Sequence, residues 1–165
     1  MSPKPVRFRL NGRERALFVE AGRNLLDALR EGLGDLTPKY GCGQGTCGSC
    51  TVLVDGEPVL SCLMLAEAAE GRAIETLETF DGPELDPLQQ AFMDHFAAQC
   101  GYCTPGMLMA AEALLRREPD PDREQVVEAI SGNICRCTGY EPIVRAILDA
   151  AARRAERGTA GGGGS

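Results

Sequence analysis

The sequence predicts an α+β chain, with a small strand-rich half wrapped on one helix followed by an all-helical half. Three observations carry this. Asn11-Gly12 and Asp55-Gly56 each separate two short alternating runs, the pattern of a β-hairpin, whose two turn residues take positive φ. Beyond residue 86 the strand pattern stops, and apolar residues recur at helical spacing behind Pro87, Pro105, Pro121 and Pro142. Eight cysteines fall into two sets of four, one set in each half.

Composition sets the bounds. A chain of 165 residues makes one domain or two small ones, and the cysteine map favours two. With 44% hydrophobic residues, 5% aromatics and no tryptophan, the cores are modest, and a metal cluster is one way to staple them. A net charge of −7 leaves no basic stripe for nucleic acid. No run of 18 apolar residues is present to span a membrane, and residues 1–7 carry neither an apolar signal region nor a twin arginine. The cytoplasm is therefore the expected compartment. There, eight cysteines read as ligands rather than disulfides, the alternative being a disulfide-stapled secreted mini-protein.

In chain order, Val6–Leu10 and Arg13–Val19 flank the first turn as a hairpin. Leu25, Leu26, Leu29 and Leu33 fall on one helical face, and Gly32 and Gly34 stop that helix. A Gly-rich cysteine loop occupies 41–50. Thr51–Val54 and Pro58–Ser61 form the second hairpin, and Ala73–Leu77 a last strand. Residues 79–86 break every pattern and read as a linker. Asp86-Pro87, Thr104-Pro105 and Asp120-Pro121 each read as an N-cap followed by proline at the first helical position, and a fourth helix starts near Pro142. Four such helices make a small bundle. The expected divisions are 1–78, the linker 79–86, a helical domain 87–157 and a flexible Gly-rich tail 158–165.

Cys42-x4-Cys47-x2-Cys50-x11-Cys62 has the spacing that plant-type ferredoxins use to hold a [2Fe–2S] cluster. Three ligands on one short loop force the backbone to wrap the cluster, which needs residues without side chains in the way. Gly41, Gly43, Gly45 and Gly48 supply them. Zinc is the competing occupant, although structural zinc sites usually repeat a C-x2–4-C pair rather than show a three-plus-one pattern. The second set, Cys100-x2-Cys103-x31-Cys135-x-Cys137, says by itself only that four thiolates converge.

The three motifs together, Gly-Cys-Gly-Gln-Gly-Thr-Cys-Gly-Ser-Cys at 41–50, Gln-Cys-Gly-Tyr-Cys-Thr-Pro-Gly-Met at 99–107 and Asn-Ile-Cys-Arg-Cys-Thr-Gly-Tyr at 133–140, resemble the small iron–sulfur subunit of the molybdenum hydroxylases. That is the xanthine dehydrogenase/aldehyde oxidase/carbon monoxide dehydrogenase family, and the match runs from about Val6 to Arg154. Gln44 stands where an acidic residue is common, and Ser49 where alanine is common; neither replaces a ligand. The resemblance implies a β-grasp ferredoxin-like domain followed by a four-helix bundle, each with one [2Fe–2S] cluster. It implies a large partner subunit bearing molybdopterin and a medium subunit bearing FAD, in a hetero-oligomer such as a dimer of heterotrimers. Electrons would pass singly from molybdenum through the bundle cluster and then the ferredoxin-like cluster to flavin or another acceptor. Gln99 and Cys137 occupy the positions that contact the pterin.

Other residues have plainer readings. His95, the sole histidine, cannot make a Rieske centre, which needs two, and reads as structural. Met93, Met107 and Met109 read as packing. Tyr102 and Tyr140 flank cysteine loops and either shield a cluster or simply pack. Arg136 sits between two ligands, where it would offset cluster charge or meet a cofactor phosphate. Arg153, Arg154 and Arg157 read as a solvated helix end. No Ser/His/Asp arrangement or Walker-type loop is present, so no catalytic residue is expected in this chain. Two rivals to the subunit reading stand: a free-standing two-cluster electron carrier, and a metal-stapled interaction module without redox function.

Overall fold

The computed structural model describes residues 2–160, with side chains to 157. Five strands make one mixed sheet in the order β2-β1-β5-β3-β4. Strands β1 (Lys4–Leu10) and β2 (Arg13–Val19) pair antiparallel across the Asn11-Gly12 turn, where both residues have positive φ (49° and 78°). Strands β3 (Thr51–Val54) and β4 (Glu57–Leu60) pair in the same way across Asp55-Gly56. Strand β5 (Ala73–Glu75) joins the hairpins, parallel to β1 and antiparallel to β3. It is shorter than expected, because Leu77–Phe80 turns into a 3-10 helix.

Helix α1 crosses this sheet. It is a single α-turn, Leu25–Asp27, that widens into a π-turn at Ala28–Gly32. The Asn24 side chain caps it by accepting from the Asp27 amide (2.8 Å). Leu25, Ala28 and Leu29 bury against Val6, Phe8, Val52 and Ile74 of the sheet. Leu26 points the other way, onto Cys50 and Cys62. One short helix thus ties the sheet core to the first cysteine set.

The C-terminal part is helical: α2 (Pro87–Asp94), α3 (Thr104–Arg117), α4 (Arg123–Ile130) and α5 (Glu141–Ala160). Asp86 caps α2 as expected, with a capping box to Gln89. Two starts differ from expectation. Cys103, not Thr104, holds the N-cap position of α3, and makes no side-chain cap bond. Helix α4 begins after Asp122 rather than Asp120, because Asp122 and Gln125 close a reciprocal capping box that Asp120 has no partner to form. Helix α5 runs to Ala160, beyond the expected start of the tail at 158; residues 161–165 lie outside the described residues.

Helix α3 is buried on both sides. Met107, Leu108, Ala111, Leu114 and Leu115 enter the core shared with α2, α4 and α5. Met109 and Ala113 pack on Leu53 of β3, with Phe80 beside them. Met93, by contrast, is exposed.

Arg153 and Arg154 are not solvated ends. Arg153 bridges Asp94 and Asp149 (2.7 Å each), and His95 meets the same Asp149 (2.8 Å). Arg154 reaches Glu112 (2.6 Å) and Asp86 (3.0 Å), while Arg116 joins Glu112 to Glu75 of the sheet. Glu112 is 6% exposed, and these two guanidiniums are the partners of its buried carboxylate. Arg154→Met keeps the aliphatic stem and is expected to cost about 2 kcal/mol in denaturant unfolding, less than a fully broken buried pair because Arg116 remains. The hydrogen bond from Arg116 holds the Glu75 carboxyl below its usual 4.5, against the upward push of burial. Stability from that pair is complete above 4.5 and is lost as pH falls through the lowered value.

Candidate metal centres

The eight cysteines are free thiols and gather as the sequence grouped them. The first set lies on the loop before β3 and on the turn after β4. Gly45 and Gly48 both have positive φ; a Cβ on Gly45 would overlap Leu63, and one on Gly48 would overlap the Gly132 carbonyl. The wrapped loop aims amides inward, with the N–H groups of Gln44 (3.5 Å) and Thr46 (3.3 Å) donating to Cys42 Sγ. With the Thr46 hydroxyl first, these donors lower the Cys42 thiol to about 6. Burial and the neighbouring Cys50 push Cys62 up to about 11. Ser61 anchors the return segment, its hydroxyl donating to the Cys50 carbonyl (2.7 Å).

The second set comes from three places: Cys100 after α2, Cys103 at the start of α3, and Cys135 and Cys137 in the α4–α5 loop. Cys137 Sγ stands 3.6 Å from Cys100 Sγ. Burial drives Cys103 up to about 12, and the facing Cys135 adds to this. Burial also pushes Cys135 up, but hydrogen bonds from Thr138 and the Cys137 amide outweigh it and leave the thiol lowered. Gln99 Nε2 donates to the Cys137 carbonyl (3.1 Å), and both residues are exposed.

Among the described residues no three Cys, His, Asp or Glu side chains converge as they would on one ion. The thiols stand in contacting pairs: Cys42 with Cys47, Cys50 with Cys62, Cys100 with Cys137, and Cys103 with Cys135. Two thiols and two thiols is how the two irons of a [2Fe–2S] cluster divide four ligands. The first set adds amides on a sulfur and a loop with no room for side chains, the second a sulfur held by Thr138 and the Cys137 amide, and both donor sets fit such a cluster.

The chain resembles known proteins over almost its whole length. A family model described as "2Fe-2S iron-sulfur cluster binding domain" matches residues 8–77, and one described as "[2Fe-2S] binding domain" matches 73–148. The nicotine 6-hydroxylase small subunit of Paenarthrobacter nicotinovorans is 51% identical over 141 residues, 86% of each chain. The nicotinate dehydrogenase small FeS subunit of Eubacterium barkeri is 48% identical, over 93% of this chain and 98% of its own. A chain of the quinoline 2-oxidoreductase structure from Pseudomonas putida 86 superposes with a TM-score of 0.91 at 49% identity, covering 96% of this chain and 99% of that one. The chain belongs to the small iron–sulfur subunits of the molybdenum hydroxylases. As a member of that family it is an electron-transfer subunit of an oxidoreductase, and its fold is a ferredoxin-like part followed by a helical part.

Within this small subunit, the two cysteine sets are joined directly. The Ile134 amide, one residue before Cys135, donates to the Cys47 carbonyl (2.9 Å). Buried Asn133 donates from Nδ2 to the Gly48 carbonyl (2.9 Å) and to Thr51 Oγ1 (3.3 Å). Tyr102 donates its hydroxyl to the Tyr40 carbonyl (2.6 Å), so this tyrosine clamps the two loops together. A cavity of about 220 Å³ is lined by Cys47 and Ser49 of the first loop together with all four cysteines of the second set, Cys100, Cys103, Cys135 and Cys137. Arg136 lines it too and is exposed. Sequence reasoning missed Asn133 and Thr138. Both stand in the 133–140 motif, but the motif gave neither a role, because Asn133 acts across more than 80 residues and Thr138 through a loop that only folding closes.

Proposed function

We propose that this chain relays electrons one at a time between a large molybdopterin-bearing partner and FAD on a medium subunit, or another acceptor. In this reading Cys42, Cys47, Cys50 and Cys62 hold one [2Fe–2S] cluster, and Cys100, Cys103, Cys135 and Cys137 the other. Each cluster supplies a site that takes up and returns a single electron. The protein's own part is to hold the thiolates in pairs, to point amides at them, and to link the two sets. The observation that carries the reading is that link: one hydrogen bond, Ile134 N–H to Cys47 C=O, spans from one ligand residue to the neighbour of another.

Gln99 and Cys137 are proposed to face the pterin. Their hydrogen bond places both on the exposed rim of the helical cysteine set, while Cys135 behind them is buried. The divisions are proposed as 1–78 and 87–157 about the stretch 79–86, with α2–α5 forming a four-helix bundle. No helix among the described residues is long and apolar enough to cross a membrane. A cytoplasmic hetero-oligomer, such as a dimer of heterotrimers, suits eight thiolate ligands and exposed Gln99.

The test is to purify the complex from its own cell and assay iron, molybdenum and flavin against each co-purifying chain. About four irons per copy of this chain is expected, with molybdenum in a large partner and flavin in a third chain. Four irons with neither molybdenum nor a stable partner would leave a stand-alone carrier. A colourless, zinc-loaded preparation would leave an interaction module.

A further inference from the structure

A closed ring of hydrogen bonds surrounds Cys135. Its amide donates to the Tyr140 hydroxyl (3.0 Å), the Tyr140 amide donates to Thr138 Oγ1 (3.2 Å), and the Thr138 hydroxyl donates to Cys135 Sγ (3.1 Å). The ring has a direction. The Tyr140 N–H occupies one lone pair of the Thr138 oxygen, and a thiolate ligand has no proton to give, so the single hydroxyl proton points to the sulfur. Tyr140 reaches this place only by adopting φ +69°, after Gly139 at +68°. Positive φ costs a bulky residue backbone strain, and such strain persists where the surroundings over-determine it.

We propose that Thr138 sets the reduction potential of the helical centre through its hydroxyl bond to Cys135 Sγ. A one-electron reduction adds one negative charge to a centre and its thiolates, so a donor aimed at sulfur favours the reduced form and raises the potential. Cys135 is 7% exposed and Thr138 is half-buried, so water has less access to the place of a lost hydroxyl here than at an exposed residue. The first set offers the contrast. Thr46 also bonds a ligand sulfur, that of Cys42, but Thr46 is exposed and water can stand in for it. Thr138 is therefore a tuning residue that acts through Cys135.

The inference rests on Cys135 being a cluster ligand. The test is a redox titration of the intact complex with dithionite and ferricyanide, following each centre by EPR. Thr138→Val is expected to weaken the electron affinity of the helical centre about tenfold, roughly 59 mV for a one-electron couple, and to leave the other centre unmoved. Thr138→Ala, which fits wherever threonine did, is expected to shift it equally, and Thr138→Ser to restore the original value. Thr46→Val is expected to move its own centre less. Val and Ala variants with the original midpoint, or a Ser variant shifted as far as they are, would overturn the tuning role. Cys135→Ala separates the two failures. If Cys135 is no ligand, the helical signal survives its loss; if only the tuning is wrong, the signal needs Cys135 while its midpoint ignores Thr138.

Discussion

Cys137→Ser is expected to abolish the EPR signal of the helical centre, to halve the iron bound per chain and to stop turnover, while the signal of the other centre survives. Cys137 Sγ lies beside Cys100 Sγ and at the exposed rim, so its replacement removes one ligand of a pair without disturbing the core behind it. A serine hydroxyl is a poor substitute for a thiolate on iron, whose preferred donors in such centres are sulfur. The sheet half should be untouched, since its four cysteines come from a different loop and strand turn, packed against α1. A variant that keeps both signals and its full iron would sink the ligand assignment.

Gly106→Ala is expected to destabilise the chain by about 2 kcal/mol, a fall of roughly 4–8 °C in Tm. On helix propensity alone the change would help by about 1 kcal/mol, because Gly106 lies in α3. Packing decides the sign. A Cβ there would overlap the Gly48 carbonyl oxygen and stand 3.1 Å from Asn133 Nδ2 and 3.2 Å from Ser49 Cα. Two of these neighbours are backbone of the first cysteine loop, which cannot swing aside as a flexible side chain does. Gly132→Ala is the control, since nothing lies within 4 Å of its Cβ position, and it is expected to be near neutral. Thermal unfolding of the two variants side by side makes the comparison, and equal stability would show that the loop can retreat.

Where a structural signal was local, the sequence was readable. Asn11-Gly12 and Asp55-Gly56 marked both hairpins because positive φ is a demand made on the turn residues themselves. The two cysteine sets were legible from spacing, since a loop with three ligands leaves a short-range signature. Local signals also misled. Asp120-Pro121 looked like a helix start, but the reciprocal bonds of Asp122 and Gln125 won two residues later. Thr104 looked like a cap, yet Cys103 holds that place, and the Thr104 hydroxyl is buried without a hydrogen-bond partner. Illegible were the joints made at long range. Arg154 finds Asp86 and Glu112 at 68 and 42 residues' distance, and Asn133 finds Gly48 at 85. Charge type at one position says nothing about a partner that only folding brings near.

Helix α3, apolar toward both the sheet and the other helices, gives the molecule no seam. Separating the two halves would bare Met109 and Ala113 on one side and Leu53 on the other, so neither half has a finished surface of its own. Each half keeps a core of its own, and this small shared cluster fastens the two together. With the hydrogen bonds from Ile134, Asn133 and Tyr102 onto the first cysteine loop, that cluster holds the two thiol sets side by side independently of the linking stretch. Thermal motion in the stretch between the halves has little leverage over the distance an electron must cross.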